Sequence, residues 1–208
     1  MTNRKIVVFS EGAFGRAAAA GLARRTLVEE HPLAASRGDY AGRVDGADFV
    51  ALASWRRYDP LAEEVGAACA RVGLPWSSVF LSDQHLFCGP LVVPPAPPCY
   101  RCFSRRHLAH QLTPDVDRAV SRQYDGHAAL GVEGFLPPAA EMAAAALAED
   151  ARSPLPGRVR RIDLLTTELV DTRVVPLHDC PLCAGDAPRD RTRRFVHHLV
   201  PALRGILR

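Results

Sequence analysis

Apolar positions along this chain come in short runs separated by turn residues, and the spacing inside each run predicts its element. Residues 6–9, IVVF, are a β-branched apolar run; SEGAFGRAAAAGLARRTL behind it passes from Ser and Gly into an Ala-rich helical stretch. That is strand, turn, helix. The stretch 31–46 holds Pro32, Gly38, Gly42 and Gly46 among polar groups and is too broken to assign. ADFVALAS at 47–54 predicts a buried strand. Asp59 and Pro60 read as an N-cap and first helical residue, and Leu61, Val65, Ala68, Cys69 and Val72 recur at helical spacing until Gly73 closes the helix. WSSVFLSD at 76–83 predicts a strand, and LFCGPLVV at 86–93 another with a kink at Gly89-Pro90. Strand alternating with helix is the rhythm of a parallel α/β sheet.

In the second half, PPAPP at 94–98 is a stiff extended link. Helical segments follow over roughly 104–112, 115–130 and 138–150, the last bounded by Pro137-Pro138 and by SPLPG at 153–157. RVRRIDLL alternates polar and apolar residues, TTE turns, and LVDTRVVPL runs back, which predicts a β-hairpin at a sheet edge. A basic tail from Ala187 to Arg208 carries Phe195, Leu199, Leu203 and Ile206 on a helical stripe broken at Pro201.

Composition narrows the class. The chain has 208 residues, 48% hydrophobic and 24% charged, enough apolar material for a sizeable core and too much for wholesale disorder. No run of eighteen apolar residues exists, and the apolar run near the N-terminus is too short for a signal peptide. Neither a membrane span nor an export signal is expected, and the protein is expected in the cytoplasm. The net charge is +3, yet Lys5 is the sole Lys among 26 basic residues, a bias of the genome before it is a nucleic-acid surface. The densest basic stretches, Arg158 to Arg161 and Arg189 to Arg194, lack interleaved aromatics, so they read as solvated faces and no nucleic-acid partner is expected.

Six cysteines in a reducing compartment argue against a disulfide framework. Cys99 and Cys102 form one C-x-x-C and Cys180 and Cys183 a second, with 77 residues between the pairs. Thiolates at this spacing both face one tetrahedral ion, and two such pairs close a four-thiolate site without an open position. The expected cofactor is a structural Zn2+ tying two distant parts of the chain together. Cys69 and Cys88 stand alone and read as packed core thiols.

The turn Ser10 to Gly15 has the position of a nucleotide-binding loop but only part of its pattern. Gly12-x-x-Gly15 with Phe14 between replaces Gly-x-Gly-x-x-Gly, and Glu11 puts a negative charge where a phosphate would lie. The 47–54 strand ends Ala53-Ser54-Trp55 with no acid for a magnesium-nucleotide site. ATP is therefore not expected here. His85, His107, His110 and His127 read as polar core or surface groups; His107 and His110, three apart, lack a third ligand for a metal. His178 and Asp179 flank Cys180 as neighbouring or exposed groups. No catalytic triad assembles from the sequence.

The degenerate glycine turn, then VFLSDQHLFCGPLVVPPAPPCYRCFSRR, then RIDLLTTELVDTRVVPLHDCPLC, resembles the E1-like, ThiF/MoeB-related partner proteins of thiazole and oxazole peptide biosynthesis, over about residues 5–185. Its marks are Gly89-Pro90, the Cys99/Cys102 knuckle followed by Arg105, and the Pro176 to Cys183 knuckle. The resemblance implies a Rossmann-like, mostly parallel sheet with a helical insert. It implies one domain: an α/β core over 5–98, a zinc knuckle and insert over 99–157, a hairpin and second knuckle over 158–186, and the basic tail over 187–208. It further implies a noncatalytic scaffold in a homodimer. That scaffold presents a bacteriocin-type precursor peptide to a YcaO-type cyclodehydratase, which uses ATP to form azolines. Full-length members begin with a winged-helix module that captures the leader peptide, and the first strand here starts at Ile6. Leader recognition is then expected from a separate protein, from an edge strand of this one, or not at all. The alternative is an adenylating enzyme acting on a peptide or carrier C-terminus.

Overall fold

The computed structural model describes residues 4–33, 40–127, 129–178 and 180–183. Asp179 and the basic tail, with its helical stripe and Arg189 to Arg194, lie outside them. Seven strands form one sheet: β1 (Lys5–Glu11), β2 (Leu27–Pro32), β3 (Phe49–Ser54), β4 (Trp76–Ser82), β5 (His85–Cys88), β6 (Arg158–Asp163) and β7 (Leu169–Arg173). Among the described residues six helices accompany them: α1 (Gly12–Ala23), α2 (Tyr40–Arg43), α3 (Asp59–Val72), α4 (Tyr100–Ala109), α5 (Pro114–Gly126) and α6 (Pro137–Arg152). The sheet order is β2-β1-β3-β4-β5-β6-β7. β1 to β4 pair in parallel; from β4 outward every pair is antiparallel.

Both faces of the central strands are covered, so β1 and β3 read as continuous apolar runs, as parallel strands do. Successive side chains still alternate between two cores. Ile6, Val8, Phe49, Ala51, Val79 and Leu86 face α1 and α6. Val7, Phe9, Val50, Leu52, Trp76 and Phe80 face α2, α3 and α4. Small residues set the first layer's thickness: a Cβ on Gly21 of α1 would lie 2.9 Å from the Ala144 Cβ of α6. The alanines of α6 thus let two helices lie side by side on the sheet. Cys69 and Cys88 are buried core thiols, and burial pushes each up to about 12.

Several expectations are corrected. The unassigned stretch at 31–46 borders β2, an edge strand paired in register with β1, and contains α2. β2 escapes its pattern because LVEEHP is half polar and exposed; backbone pairing to β1 makes it a strand. The 86–93 strand ends at Cys88, where Gly89 adopts φ +112° ahead of a cis Pro90. Beyond it the contacts with the sheet are single ones: Gly89 N–H donates to the Ser78 carbonyl, Leu91 N–H to that of Arg158, and Val92 forms an isolated bridge to Trp76. The second-half helices begin at 100, 114 and 137 and end at 109, 126 and 152, shifting each boundary by up to four residues. The N-cap of α3 is Tyr58, with no side-chain cap; the Asp59 carboxylate is drawn away by α4 instead.

Leu147 of α6 is wholly buried between the sheet and α1, whereas Leu112 is 98% exposed. Leu147→Ala is expected to cost about 2–5 kcal/mol through lost burial and a cavity, and Leu112→Ala to stay within about 0.5 kcal/mol. Urea midpoints at unchanged slope measure both.

Candidate metal centre and a closed crevice

PPAPP delivers Cys99 to the first turn of α4, where its backbone is extended and Cys102 sits one turn further on. The second pair arrives from β7 through Val174 to Leu177, and Arg106 of α4 fixes that approach. Its Nη2 donates to the Pro176 carbonyl at 2.9 Å and its Nε to that of Val175. All four sulfurs of Cys99, Cys102, Cys180 and Cys183 then lie within 4.8 Å of one another. Cys99 to Cys180 and Cys102 to Cys183 are each 3.5 Å, and Cys99 to Cys102 is 3.9 Å. Disulfides would bring sulfurs to about 2 Å, whereas a tetrahedral ion with bonds of about 2.3 Å separates them by ~3.8 Å. The donor set is thus spaced for a metal ion, which all four predicted residues could hold.

The electrostatics agree. Burial pushes the Cys99 thiol up to about 11, with the Cys102 amide opposing and the Cys180 and Cys102 sulfurs adding to the rise. Burial also acts to raise Cys180, but backbone N–H groups of Leu182 and Cys183 and the Cys99 thiol bring it down to about 7. The Leu177 N–H donates to Cys102 Sγ at 3.4 Å. Amides aimed at sulfur favour the thiolate, but four thiolates this close repel one another, and a cation resolves the conflict.

The knuckle helix is anchored to α3 through one carboxylate. Asp59 accepts from Arg57 Nε (2.8 Å) and Nη2 (2.6 Å), from the Tyr100 hydroxyl (2.9 Å) and from Ser104 Oγ (2.7 Å). Burial opposes its charge, yet these donors hold it below the usual carboxylate range. Arg101 adds a pair with Glu63 of α3 at 2.8 Å. No local pattern marks Asp59 as a partner of α4, because the residues it joins are about forty positions apart.

The second location is the crevice at the carboxyl ends of β1 and β3, where the strand order reverses and α/β folds usually place ligands. Here it is filled from within. Ser54 Oγ donates to Glu11 Oε2 at 2.6 Å, and the Arg56 Nη2 donates to Glu11 Oε1 at 3.0 Å. The Arg56 guanidinium is wholly buried, lies 4.7 Å and 5.0 Å from the Tyr58 and Tyr124 ring centroids, and donates to the Tyr124 carbonyl. The Trp55 ring lies against the backbones of Gly12, at φ +70°, and Gly131, where a Cβ would come within 2.2–2.3 Å of it. A Cβ on Gly15 would meet the Ala53 carbonyl at 2.3 Å. Both glycines of the predicted turn are therefore needed for intramolecular packing. Arg56 was not among the sequence candidates; an Arg two residues past a strand end carries no signature.

The histidines remain apart from both locations. His107 packs on Phe87 and Phe103 and bonds Gln111, while His110 is exposed; they form no metal pair. His85 lies 3.7 Å from Asp163, His127 bonds the Gln123 carbonyl, and His178 is exposed beside the second knuckle.

No family model and no curated protein matches this sequence. Solved structures match its fold. The heterocyclase TruD gives a TM-score of 0.61 at 18% identity, over 87% of this chain and 27% of that one. A heterocyclase in complex with substrate and cofactor gives 0.60 at 17%, over 87% and 25%. E. coli MccB with ATP gives 0.59 at 18%, over 87% and 66%. The chain thus spans about a quarter of the heterocyclases it matches and two thirds of MccB. The shared α/β fold is the one the sequence resemblance implies. No helix among the described residues is long and apolar enough to cross a membrane.

Burial, with Arg57 adding repulsion, lowers His107 to about 4 against an unfolded value near 6.5. Between those values the unfolded chain binds more protons, so stability is complete above about pH 6.5 and falls as pH drops toward 4, by roughly 3 kcal/mol. Urea titrations across this window are expected to show that fall, and His107→Leu to lose its share of it.

Proposed function

We propose that this chain is the E1-like component of a peptide cyclodehydratase, a noncatalytic scaffold that supports an ATP-dependent YcaO-type partner in forming azolines on a ribosomal precursor peptide. The observation that carries this reading is the closed crevice: Glu11, Arg56 and Trp55 take the room a nucleotide would need. The α/β fold is that of heterocyclases and of MccB, and the four-cysteine centre fits the zinc knuckles the resemblance implies. Cys99, Cys102, Cys180 and Cys183 would hold Zn2+ in a closed tetrathiolate, whose chemistry is structural. The scaffold is a cytoplasmic homodimer in this reading.

A second reading, an adenylating enzyme, draws on MccB, a larger share of which this chain covers and which was solved with ATP. Arg56 and Trp55 would then have to leave the crevice. ATP–pyrophosphate exchange separates the two. The purified chain alone is expected to give none, and to raise ATP-dependent dehydration of a precursor by its YcaO partner. Exchange by this chain with a peptide substrate would establish the second reading instead.

The metal prediction is independent of either reading. Protein purified under reducing conditions is expected to hold one zinc per chain by elemental analysis. The double variant Cys99→Ser, Cys180→Ser is expected to lose it together with cooperative unfolding, since closed zinc sites contribute on the order of 10 kcal/mol to the folding of small domains.

A further inference from the structure

Between α4 and the outer strands of the sheet lies a groove of about 400 Å³, on the face that carries Val159 and Arg161 of β6 and Val170 and Thr172 of β7. Its floor is apolar and aromatic: Phe87 and Phe103 with the His107 ring between them. Arg161, Arg173 and His110 stand at the rim, all exposed, and no carboxylate lines the groove. Neither arginine has a carboxylate within ion-pair distance among the described residues; the nearby Asp171 is taken by Arg158 at 2.6 Å. Arg106, on the helix wall, spends its donors on the two carbonyls that lead to the second knuckle. The rim is therefore a cationic surface without a counter-charge among the described residues.

The strand beside the groove is the last of the sheet. β7 pairs with β6 on one side, and among the described residues no strand pairs with the other. An unpaired edge presents a row of backbone donors and acceptors to an extended chain, and a strand added there sends alternate side chains to the same face as Val170 and Thr172. Backbone pairing and a side-chain pocket thus lie next to each other, which suits a peptide better than a compact small molecule.

We propose that an extended acidic peptide adds to the free edge of β7. One of its carboxylate side chains reaches over β7 to the Arg161 guanidinium, and an apolar side chain two residues away lies over Val170 and Thr172 at the mouth of the groove. The basic tail is the wrong sign for this groove, whereas a carboxylate would supply the missing counter-charge. Because burial keeps His107 uncharged above about pH 4, the floor stays apolar at neutral pH. The peptide being a precursor rests on the reading above; the groove's chemistry does not, so a failed reconstitution and a failed binding test are distinguishable.

The test uses the full chain and a fluorescein-labelled synthetic peptide in which Thr alternates with Leu and Glu, followed by anisotropy. Saturable binding is expected, weakening as salt rises. Exchange of Glu for Gln in the peptide is expected to weaken it about fivefold, the size of one exposed ion pair. Backbone N-methylation on the hydrogen-bonding side should abolish it, and so should Arg161→Glu, an exposed substitution whose fold is checked by circular dichroism. No saturable binding, equal binding of the Gln or N-methylated peptides, or indifference to Arg161→Glu in a folded variant would overturn the proposal. Displacement of the peptide by a DNA oligonucleotide through Arg161 would also overturn it, reassigning the rim to phosphate.

Discussion

Two sulfur pairs 77 residues apart in sequence meet within 4.8 Å, and the antiparallel half of the sheet is organised around that meeting. The first pair opens α4, which is held to α3 through Asp59; the second follows β7, which is held to α4 through Arg106. The strand-rich half from β4 onward lacks the helix-covered parallel pairing of β1 to β4, and its outermost strand is mostly exposed. An ion held by four sulfurs at the end of that strand would close a long loop of chain, where crosslinks limit the unfolded state most. It would tie down the outer strands, where the two apolar cores thin out.

The crevice between β1 and β3 follows a different logic. An arginine with no solvent exposure is costly to bury unless its charge and donors are met, and here one carboxylate, one carbonyl and two tyrosine faces meet most of them. The carboxylate belongs to β1, the arginine follows β3, and one tyrosine comes from α5, so three separate segments converge on a single guanidinium. Such a cluster specifies geometry more than it adds stability, and it leaves the sheet's usual ligand position occupied by the protein itself.

Much of this was readable from the chain because the relevant signals were local. IVVF, FVALAS and the α3 repeat announced themselves through patterning, and each C-x-x-C defined two adjacent donors. What escaped was relational. β2 is a strand only because β1 offers it backbone partners, so its polar sequence gave nothing away. Asp59 looked like a helix cap because the sequence showed its neighbours and hid Tyr100 and Ser104. Glu11 stood out as a negative charge where a phosphate would lie, but its partner Arg56 lies 45 positions on and carries no motif. The kink at Gly89-Pro90 was visible, whereas the end of the strand there was not, since hydrophobic residues continue to Val93 while pairing stops at Cys88.

Gly12 and Gly131 lie on either side of the Trp55 ring, each without room for a methyl group. A glycine turn after a first strand is ordinarily kept by the phosphate that rests on it; this one is kept by an indole. The three positions therefore form a unit of descent: a larger residue at 12 or 131 is harmful while Trp55 stays, and becomes tolerable only once that ring has shrunk. Change at these sites should come in concert, whatever becomes of any nucleotide.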